Sequence, residues 1–524
     1  MISHLLLGVL GAVCVFQPGL LAKKQQRKNI VKVSAPSKKA TEAPADQEKD
    51  IYQWLRTYAE VISTVQDKAF RTVAFKEYIE RSLKAAAGDI DAHSAFLNKE
   101  SYTAAIESAS GEFSGIGISI ISKPTEDDAL AIIDVVAGGP AEKGGLKAGD
   151  KIVEVASKKL RGLSSDEVIN LLKGTVGSKV TIKVIRNKKP LEFTLTRDII
   201  KDQASLCYHF KNQNIYYLSL KVFSTPVAEQ IRGLLKRANA GQCKGLILDL
   251  RRNPGGVLES AIEMAGLFLK KRSLVAVTKD KKGNVVNKYY TAANPALASD
   301  VPIFILIDNF TASASEILAG SLRYHAMQTS DGGKPLMVFL VGTNTFGKGS
   351  VQEVIPISNG CALKLTTMLY YLPGDLSIQA TGIEPDFVIK PKIVPADELK
   401  WVHDMYGKES SLKNHITTKE ATGKEPDPKA ASQAKKKKAH HTPEADGENE
   451  EHKKDEPESA ASLEEKQKEA ISHDAQIQAA VNMINMLALA KTAQPKNVAT
   501  REQALTFLKA HFMTDEGTEI KKVD

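Results

Sequence analysis

At 524 residues the chain is longer than one hydrophobic core supports, so two to four domains are expected. Its 42% apolar and 25% charged residues are ordinary for a globular protein. The formal net charge of +9 gives no case for a nucleic-acid partner, because the basic clusters fall in two Lys-rich low-complexity stretches, Lys23 to Lys39 and Lys435 to Lys438, that read as solvated tails. Four cysteines, Cys14, Cys207, Cys243 and Cys361, contain no CxxC pair, which excludes a disulfide framework and a zinc site. Cys243 and Cys361 adjoin apolar runs and read as core residues.

In chain order, Leu5 to Phe16 is an apolar run of signal-peptide length, too short to span a bilayer. Residues 1–22 are read as a leader ending at Ala22, although Leu20 is bulkier than a cleavage site prefers and only His4 stands for the usual basic residues. Export to the periplasm is expected, with an uncleaved leader anchored in the inner membrane as the alternative. No later segment is apolar enough to cross a membrane. Residues 23–49 read as a disordered linker. Residues 50–104 form a helical region, given the spacing of Ile51, Leu55, Tyr58 and Ile62.

Over 105–198 the runs GIGISII, LAIIDVV, DKIVEV, KVTIKVI and LEFTLT alternate with turns. Helical pieces lie near Ala141 and at Ser165 to Lys173, so a compact β-rich module is expected. Over 199–396 the pattern becomes α/β, with strands IYYLSL, GLILDL, PIFILI and MVFLVG among helices at Val227 to Arg237, Val257 to Leu269 and Ser315 to Tyr324. Residues 397–470 are charged and, from Lys424 to Ser462, nearly free of large apolar groups, so a disordered linker is expected. Residues 471–524 form a helical region whose stretch Ile471 to Ala490 is expected to pack on a partner surface. There is no internal repeat.

Three segments could carry chemistry. In PIFILIDNFTASASEILAGSLRY a buried strand enters a helix through a Ser-rich turn, at the crevice where α/β sheets bind ligands. On this segment alone a capping box, Ser313 with Glu316, is the simpler reading. In VGTNTFGKGSVQEVIPI a strand and a Gly-rich turn present Lys348, and an extended chain puts Lys348, Ser350 and Gln352 on one side. Apolar strands around Lys348 would desolvate it, lower its pKa and leave an amine able to take a proton from serine, with Gln352 holding that amine. Gly342, Gly347 and Lys348 also match phosphate-loop spacing, but Gly349 stands where that motif needs Ser or Thr, and a strand follows. In DLRRNPGGVLESAIEMAGLFL, Gly255 and Gly256 expose N–H groups that suit a developing negative charge, or a simple tight turn.

The segments TASASEILAG, TFGKGSVQ and ALKLTTMLYYLPGDLSIQATGIEPD occur in the order found in the C-terminal processing peptidases, or tail-specific proteases. DLRRNPGG, GEFSGIGISI and DAHSAFL resemble that family too, as does Asp474 to Leu487. The resemblance implies a multidomain α/β protein: a crotonase-like (ClpP-like) serine peptidase core with an inserted PDZ domain and helical N- and C-terminal regions. It implies Ser313 as nucleophile, Lys348 as base, Gln352 as its orienting group, and an oxyanion hole from the Ala314 N–H and a Gly255 or Gly256 N–H. Ser315 would face the helix side. No metal or cofactor is implied.

Gly115, Ile116, Gly117 and Ile118 would form the PDZ carboxylate loop, with a tail adding as a strand beside Ile118 to Ile120. The implied partners are protein substrates with free apolar C-termini; a homo-oligomer and an activating adaptor are left open. The 35 positions from Ser313 to Lys348 exceed the family's usual gap, through an insertion around 327–335 expected to be a surface loop. Thr343-Asn344 and Ala92 also depart from the family's usual residues. A non-catalytic PDZ adaptor is the alternative, but it has no reason to retain Ser313, Lys348 and Gln352. A coenzyme A-dependent crotonase would not explain the PDZ module or the Lys348 loop.

Overall fold

A computed structural model of the chain describes residues 13–15, 45–120, 129–201, 205–328, 336–390, 416 and 471–512, apart from single positions at 73, 137, 162 and 164. The expectations for the leader, the linkers and the insertion lie wholly or largely outside these residues. Within the stretch expected to be a leader, β1 (Val13–Val15) runs parallel to Val351–Glu353.

The N-terminal region begins with α1 (Ala45–Lys68), which starts inside the stretch expected to be linker. It continues through α2 (Phe75–Gly88), β2 (Ala95–Leu97) and α3 (Lys99–Ser110). Asn98 caps α3, its side chain accepting from Ser101 N–H at 3.0 Å, and Gly111 ends it in the left-handed region at φ 66°.

The β-rich module comprises β3 (Glu112–Gly115), β4 (Ile118–Ile120), β5 (Leu130–Val135), α4 (Pro140–Lys143), β6 (Lys151–Val155), β7 (Lys158–Lys159), α5 (Ser165–Leu172), β8 (Lys179–Arg186), β9 (Lys189–Thr196) and β10 (Asp198–Lys201). Five strands run in the order β4-β5-β6-β8-β9, with β7 paired to β6. The period-2 pattern of β8 works as expected: Val180, Ile182 and Val184 are buried with Ile132, Ile152, Val155 and Val168. The entering strand β3 and the leaving strand β10 pair antiparallel, from Glu112↔Lys201 to Gly115↔Asp198, so the module leaves and rejoins the chain at one place.

The α/β part comprises β11 (Ser205–Phe210), β12 (Ile215–Leu220), α6 (Val227–Ala240), β13 (Gly245–Asp249), α7 (Leu258–Ala265), β14 (Leu274–Lys279), β15 (Val285–Tyr290), β16 (Ile303–Ile307), α8 (Ala314–Met327), β17 (Val338–Gly342), β18 (Ser350–Pro356), β19 (Ala362–Tyr371) and β20 (Phe387–Val388). The central sheet runs β11-β12-β13-β16-β17-β20, parallel except for the β11–β12 hairpin. A second sheet, β1-β18-β19-β14-β15, carries β2 against β19 and so ties the N-terminal region to the core. Sequence periodicity missed β14 and β15, and α7 stops at Ala265 rather than Leu269.

Side-chain alternation divides the central strands between two cores. Leu246, Leu248, Ile303, Ile305 and Leu340 face α6, α7, α8 and the second sheet, with Val351 and Tyr370 in the same cluster. Ile247, Phe304, Leu306, Phe339 and Val341 face the C-terminal helices α9 (Ala475–Ala493) and α10 (Arg501–Phe512). The expectation of a partner surface for Ile471 to Ala490 is therefore corrected. A sheet with fully apolar strands must cover both faces, and α9 covers the one that α6 to α8 leave open. It lies close enough that a Cβ on Gly245 would meet Ile484 Cγ2 at 2.7 Å. Polar contacts fix the docking: Arg251 Nη1 donates to Asp474 Oδ2 at 2.8 Å, and Arg501 Nη2 to Asp386 Oδ2 at 2.6 Å. Cys243 is buried as expected, but Cys361 is only half-buried.

Leu487 is fully buried under the central sheet whereas Leu489, on the same helix, is 71% exposed. Leu487→Ala is expected to lose about 2–5 kcal/mol through lost transfer energy and the cavity left behind. Leu489→Ala should stay within about 0.5 kcal/mol. Urea denaturation followed by tryptophan fluorescence and circular dichroism measures the difference.

Candidate active site

Ser313 sits where β16 has ended and α8 begins, at the carboxyl edge of the central sheet. Its backbone is forced into φ 59°, ψ −118°, a region L-residues avoid, so the surrounding turn must over-determine it. Asp308 accepts the N–H groups of Arg252, Phe310 and Thr311, and Thr311 Oγ1 donates to the Leu250 carbonyl at 2.8 Å. Burial pushes the Asp308 carboxyl up, against these donors. Glu316 Oε2 accepts from Ser313 N–H at 2.8 Å, the returning half of a capping box. The forward half is not made: Ser313 Oγ is buried and has no hydrogen-bond partner. Ser315 differs, because its hydroxyl donates to the Asn253 carbonyl at 3.0 Å.

Lys348 is fully buried just ahead of β18. Its backbone is tied to that of Ser313 twice. Glu316 accepts from Lys348 N–H at 2.9 Å and Gly347 N–H at 2.8 Å, and Thr345 Oγ1 donates to Glu316 Oε1 at 2.5 Å. Tyr370 from β19 directs its hydroxyl to the Ser313 carbonyl at 3.1 Å and the Lys348 carbonyl at 2.5 Å. Glu316 is wholly buried, and burial raises its carboxyl to about 7 despite its four donors. Gly347 has to be glycine: its φ is 95°, and a Cβ would stand 2.9 Å from Gly382 N.

Gln352 lies on β18, fully buried, its Nε2 donating to Ser350 Oγ and Thr366 Oγ1 at 3.0 Å each. Gln352 Oε1 is buried and without a hydrogen-bond partner. The expected common side holds for Ser350 and Gln352, within the strand. Lys348 precedes it, in the turn.

The Pro-Gly-Gly turn closes over the same spot. A Cβ on Gly255, whose φ is 102°, would lie 2.8 Å from Ser313 Cβ and 2.9 Å from Ala314 N. The Gly255 N–H itself donates to Asn253 Oδ1 at 2.9 Å, which commits it locally. Asn253 is fully buried and also donates to the Leu220 carbonyl at 2.7 Å, so it pins the turn.

In the β-rich module Gly115 ends β3, paired with Asp198, so the expected four-residue loop shrinks to Ile116 and Gly117. The Ile116 carbonyl accepts from Ala141 N–H at 2.9 Å, and the Gly117 carbonyl from Val136 N–H at 2.9 Å. Ile118 opens β4, which pairs β5 on one side and is an edge of its sheet on the other.

Local sequence offered Lys348, Gln352 and the glycine pair as candidates and read Ser313 as a cap; the family resemblance made Ser313 the nucleophile. Glu316 was legible only as a cap. Tyr370, Asn253 and Thr366 gave no signal, because each acts across a long sequence separation from another strand or turn.

An α/β core carries a serine on a strained strand-to-helix turn and is joined to a β-rich module by the β3–β10 ribbon, and the family matches make the chain a serine-type endopeptidase. Residues 214–389 match peptidase family S41 and residues 132–186 match a PDZ domain. A carboxy-terminal-processing protease of Bartonella bacilliformis is 32% identical over 385 residues, covering 72% of this chain and 84% of that relative. A carboxyl-terminal-processing protease of Synechocystis is 33% identical over 308 residues, 58% of this chain and 69% of that one. Among solved structures, the photosystem II D1 C-terminal processing protease aligns at 22% identity with a TM-score of 0.37, over 71% of this chain and 100% of that one. The chain belongs to peptidase family S41, the carboxy-terminal-processing proteases.

The raised Glu316 carboxyl makes a signed stability prediction. Its folded value lies above the ordinary 4.5, so the stability contributed by the protonated form is present below 4.5 and lost as pH rises to about 7. That rise corresponds to about 3 kcal/mol. The stability of the wild type minus that of Glu316→Gln should fall by this order between pH 4.5 and 7.5, as read by urea midpoints across the range. A difference that stays level would show that Glu316 is charged throughout.

Proposed function

We propose that the protein cleaves substrate proteins near their C-termini with Ser313 as nucleophile and Lys348 as general base. The observation that carries this reading is Ser313 Oγ, buried without a hydrogen-bond partner while its backbone is held to that of Lys348 by Glu316 and Tyr370. A hydroxyl left unpaired in a protein interior is costly unless something enters to use it. Burial of Lys348 disfavours its charged form, so the neutral amine takes the Ser313 proton as Oγ attacks the scissile carbonyl. The acyl–enzyme ester forms, the C–N bond breaks, and the leaving amine recovers the proton from Lys348. Water, deprotonated by the same amine, then attacks the ester; the C–Oγ bond breaks, the acyl product leaves, and Lys348 returns the proton to Ser313 Oγ.

Gln352, whose carbonyl oxygen is buried and without a hydrogen-bond partner, is the group that receives the Lys348 amine during the reaction. The oxyanion is received by the Ala314 N–H, at the first turn of α8, and the Gly256 N–H. Gly255 contributes the close approach that only a residue without Cβ allows. Parallel strands crossing through α6, α7 and α8 support a crotonase-like (ClpP-like) core over 199–396, with the PDZ domain over 105–198 inserted between paired strands β3 and β10.

Tail recognition uses Ile116, Gly117 and the open edge of β4: the substrate adds as a strand, its terminal carboxylate meets the loop N–H groups, and its last apolar side chain enters the module. The protein acts outside the cytoplasm, exported through its 1–22 leader. It requires no cofactor.

Three measurements on one reporter protein test the reading. Ser313→Ala should abolish cleavage with an unchanged melting profile, while Ser315→Ala retains it. Lys348→Arg should be inactive, because arginine keeps its proton. Amidating the reporter tail should slow cleavage of the protein but not of a short peptide. Equal rates for free and amidated tails would remove the tail-recognition part alone.

A further inference from the structure

The N-terminal segment Asp91–Ser94 packs against β19 directly behind Gln352, and its hydrogen bonds have only one consistent direction. Asp91 Oδ1 accepts from His93 N–H at 2.7 Å, Ser94 N–H at 2.9 Å and Thr366 Oγ1 at 3.0 Å, and Oδ2 accepts from Ser94 Oγ at 2.5 Å. Burial opposes ionisation of Asp91, but the hydrogen bonds from Ser94, His93 and Thr366 outweigh it and hold the carboxyl below its ordinary range. An ionised carboxylate only accepts, so the single hydroxyl proton of Thr366 is committed to Asp91. The Thr366 oxygen can then only accept from Gln352. The Ser94 proton is likewise spent on Asp91, and its oxygen accepts the Thr366 N–H at 3.1 Å.

Gln352 therefore has no choice of orientation. Its two amide hydrogens go to Thr366 Oγ1 and Ser350 Oγ, at 3.0 Å each, and its carbonyl oxygen turns the other way, where it is buried and unpartnered. Reversing the amide would set a carbonyl oxygen against the Thr366 lone pairs.

We propose that Asp91 and Thr366 are positioning residues for the peptidase reaction: they form a one-way hydrogen-bond relay that fixes the Gln352 amide with its oxygen left free to receive the Lys348 amine. This rests on the reading of Gln352 as the group that holds Lys348. It gives the N-terminal segment a part in the chemistry through Gln352, and it makes docking of β2 on β19 a condition for an ordered base.

The test uses the full chain, the free-tail reporter and separate measurement of kcat and KM. Thr366→Val keeps the shape and deletes the hydroxyl; Asp91→Asn lets Thr366 reverse its proton. Both should lower kcat by roughly 10-fold, within the range that coupled neighbours show, with KM nearly unchanged. Thr366→Ser, which restores the hydroxyl, should return most of the loss. The decisive readout is non-additivity: in a Gln352→Ala background, Thr366→Val should cost nothing further, because the group it orients is gone. Full kcat for Thr366→Val or Asp91→Asn would overturn the relay, and so would an equal loss from Thr366→Val with and without Gln352. Ser313→Ala and Lys348→Arg run alongside: if they are dead while Thr366→Val is fully active, the relay alone fails, whereas turnover by Ser313→Ala defeats the underlying reading. Melting profiles identify any variant that has lost its fold, and Thr366→Ser then decides on its own, since kcat below one tenth of wild type in a folded Thr366→Ser protein excludes the relay.

Discussion

The site depends on one buried carboxylate. Glu316 accepts from the backbone of Ser313 on one side and from Thr345, Gly347 and Lys348 on the other, so a single side chain holds two turns that arrive from different strands. Without it, four polar groups in a dry interior would lose their acceptor, at a cost of about 1–3 kcal/mol for each one left unmet. The strained backbone at Ser313 persists because its neighbours are held this firmly. Tyr370 repeats the connection from a second sheet, so the turns are clamped from the helix side and the strand side together.

That clamp works because the scaffold beneath it is rigid. Strands β13, β16 and β17 deliver the Asn253 turn, the Ser313 turn and the Lys348 turn to the same edge of a parallel sheet, and helices on both faces bury the strands completely. The C-terminal helices are part of this arrangement. Arg251, two residues beyond Asp249, reaches Asp474 and Gln476 at the start of α9, so the strand leading into the Pro-Gly-Gly turn is braced from the far side of the sheet. The β3–β10 ribbon lets the PDZ module be present without breaking the order of the core strands.

The turns around the candidate site could be read from local sequence, because turns carry strong residue requirements. A glycine before a lysine, a Pro-Gly-Gly after a strand and a serine between a strand and a helix each constrain the backbone within a few residues. The difference between Ser313 and Ser315 is not local: Ser315 donates across 62 positions to the Asn253 carbonyl, whereas Ser313 Oγ is without a hydrogen-bond partner. In the same way Gly255 and Gly256 looked equivalent until Asn253 Oδ1 took the Gly255 N–H.

The sequence alone determined most elements and their succession, β14 and β15 excepted: the helices of the N-terminal region, the period-2 strands of the PDZ module, the apolar strands of the α/β core and the residues at their turns. These follow from side-chain periodicity and backbone conformational limits, which act over a few residues. Tertiary structure decided which surfaces those elements cover and which polar atoms meet. The helix at Ala475–Ala493 looked suited to a partner, yet it closes the chain's own sheet, because sequence shows that a face is apolar but not which face lies opposite. The orientation of Gln352 is of the same kind. It depends on the direction of protons along Asp91, Thr366 and Gln352, groups up to 275 positions apart that only folding brings within hydrogen-bond range.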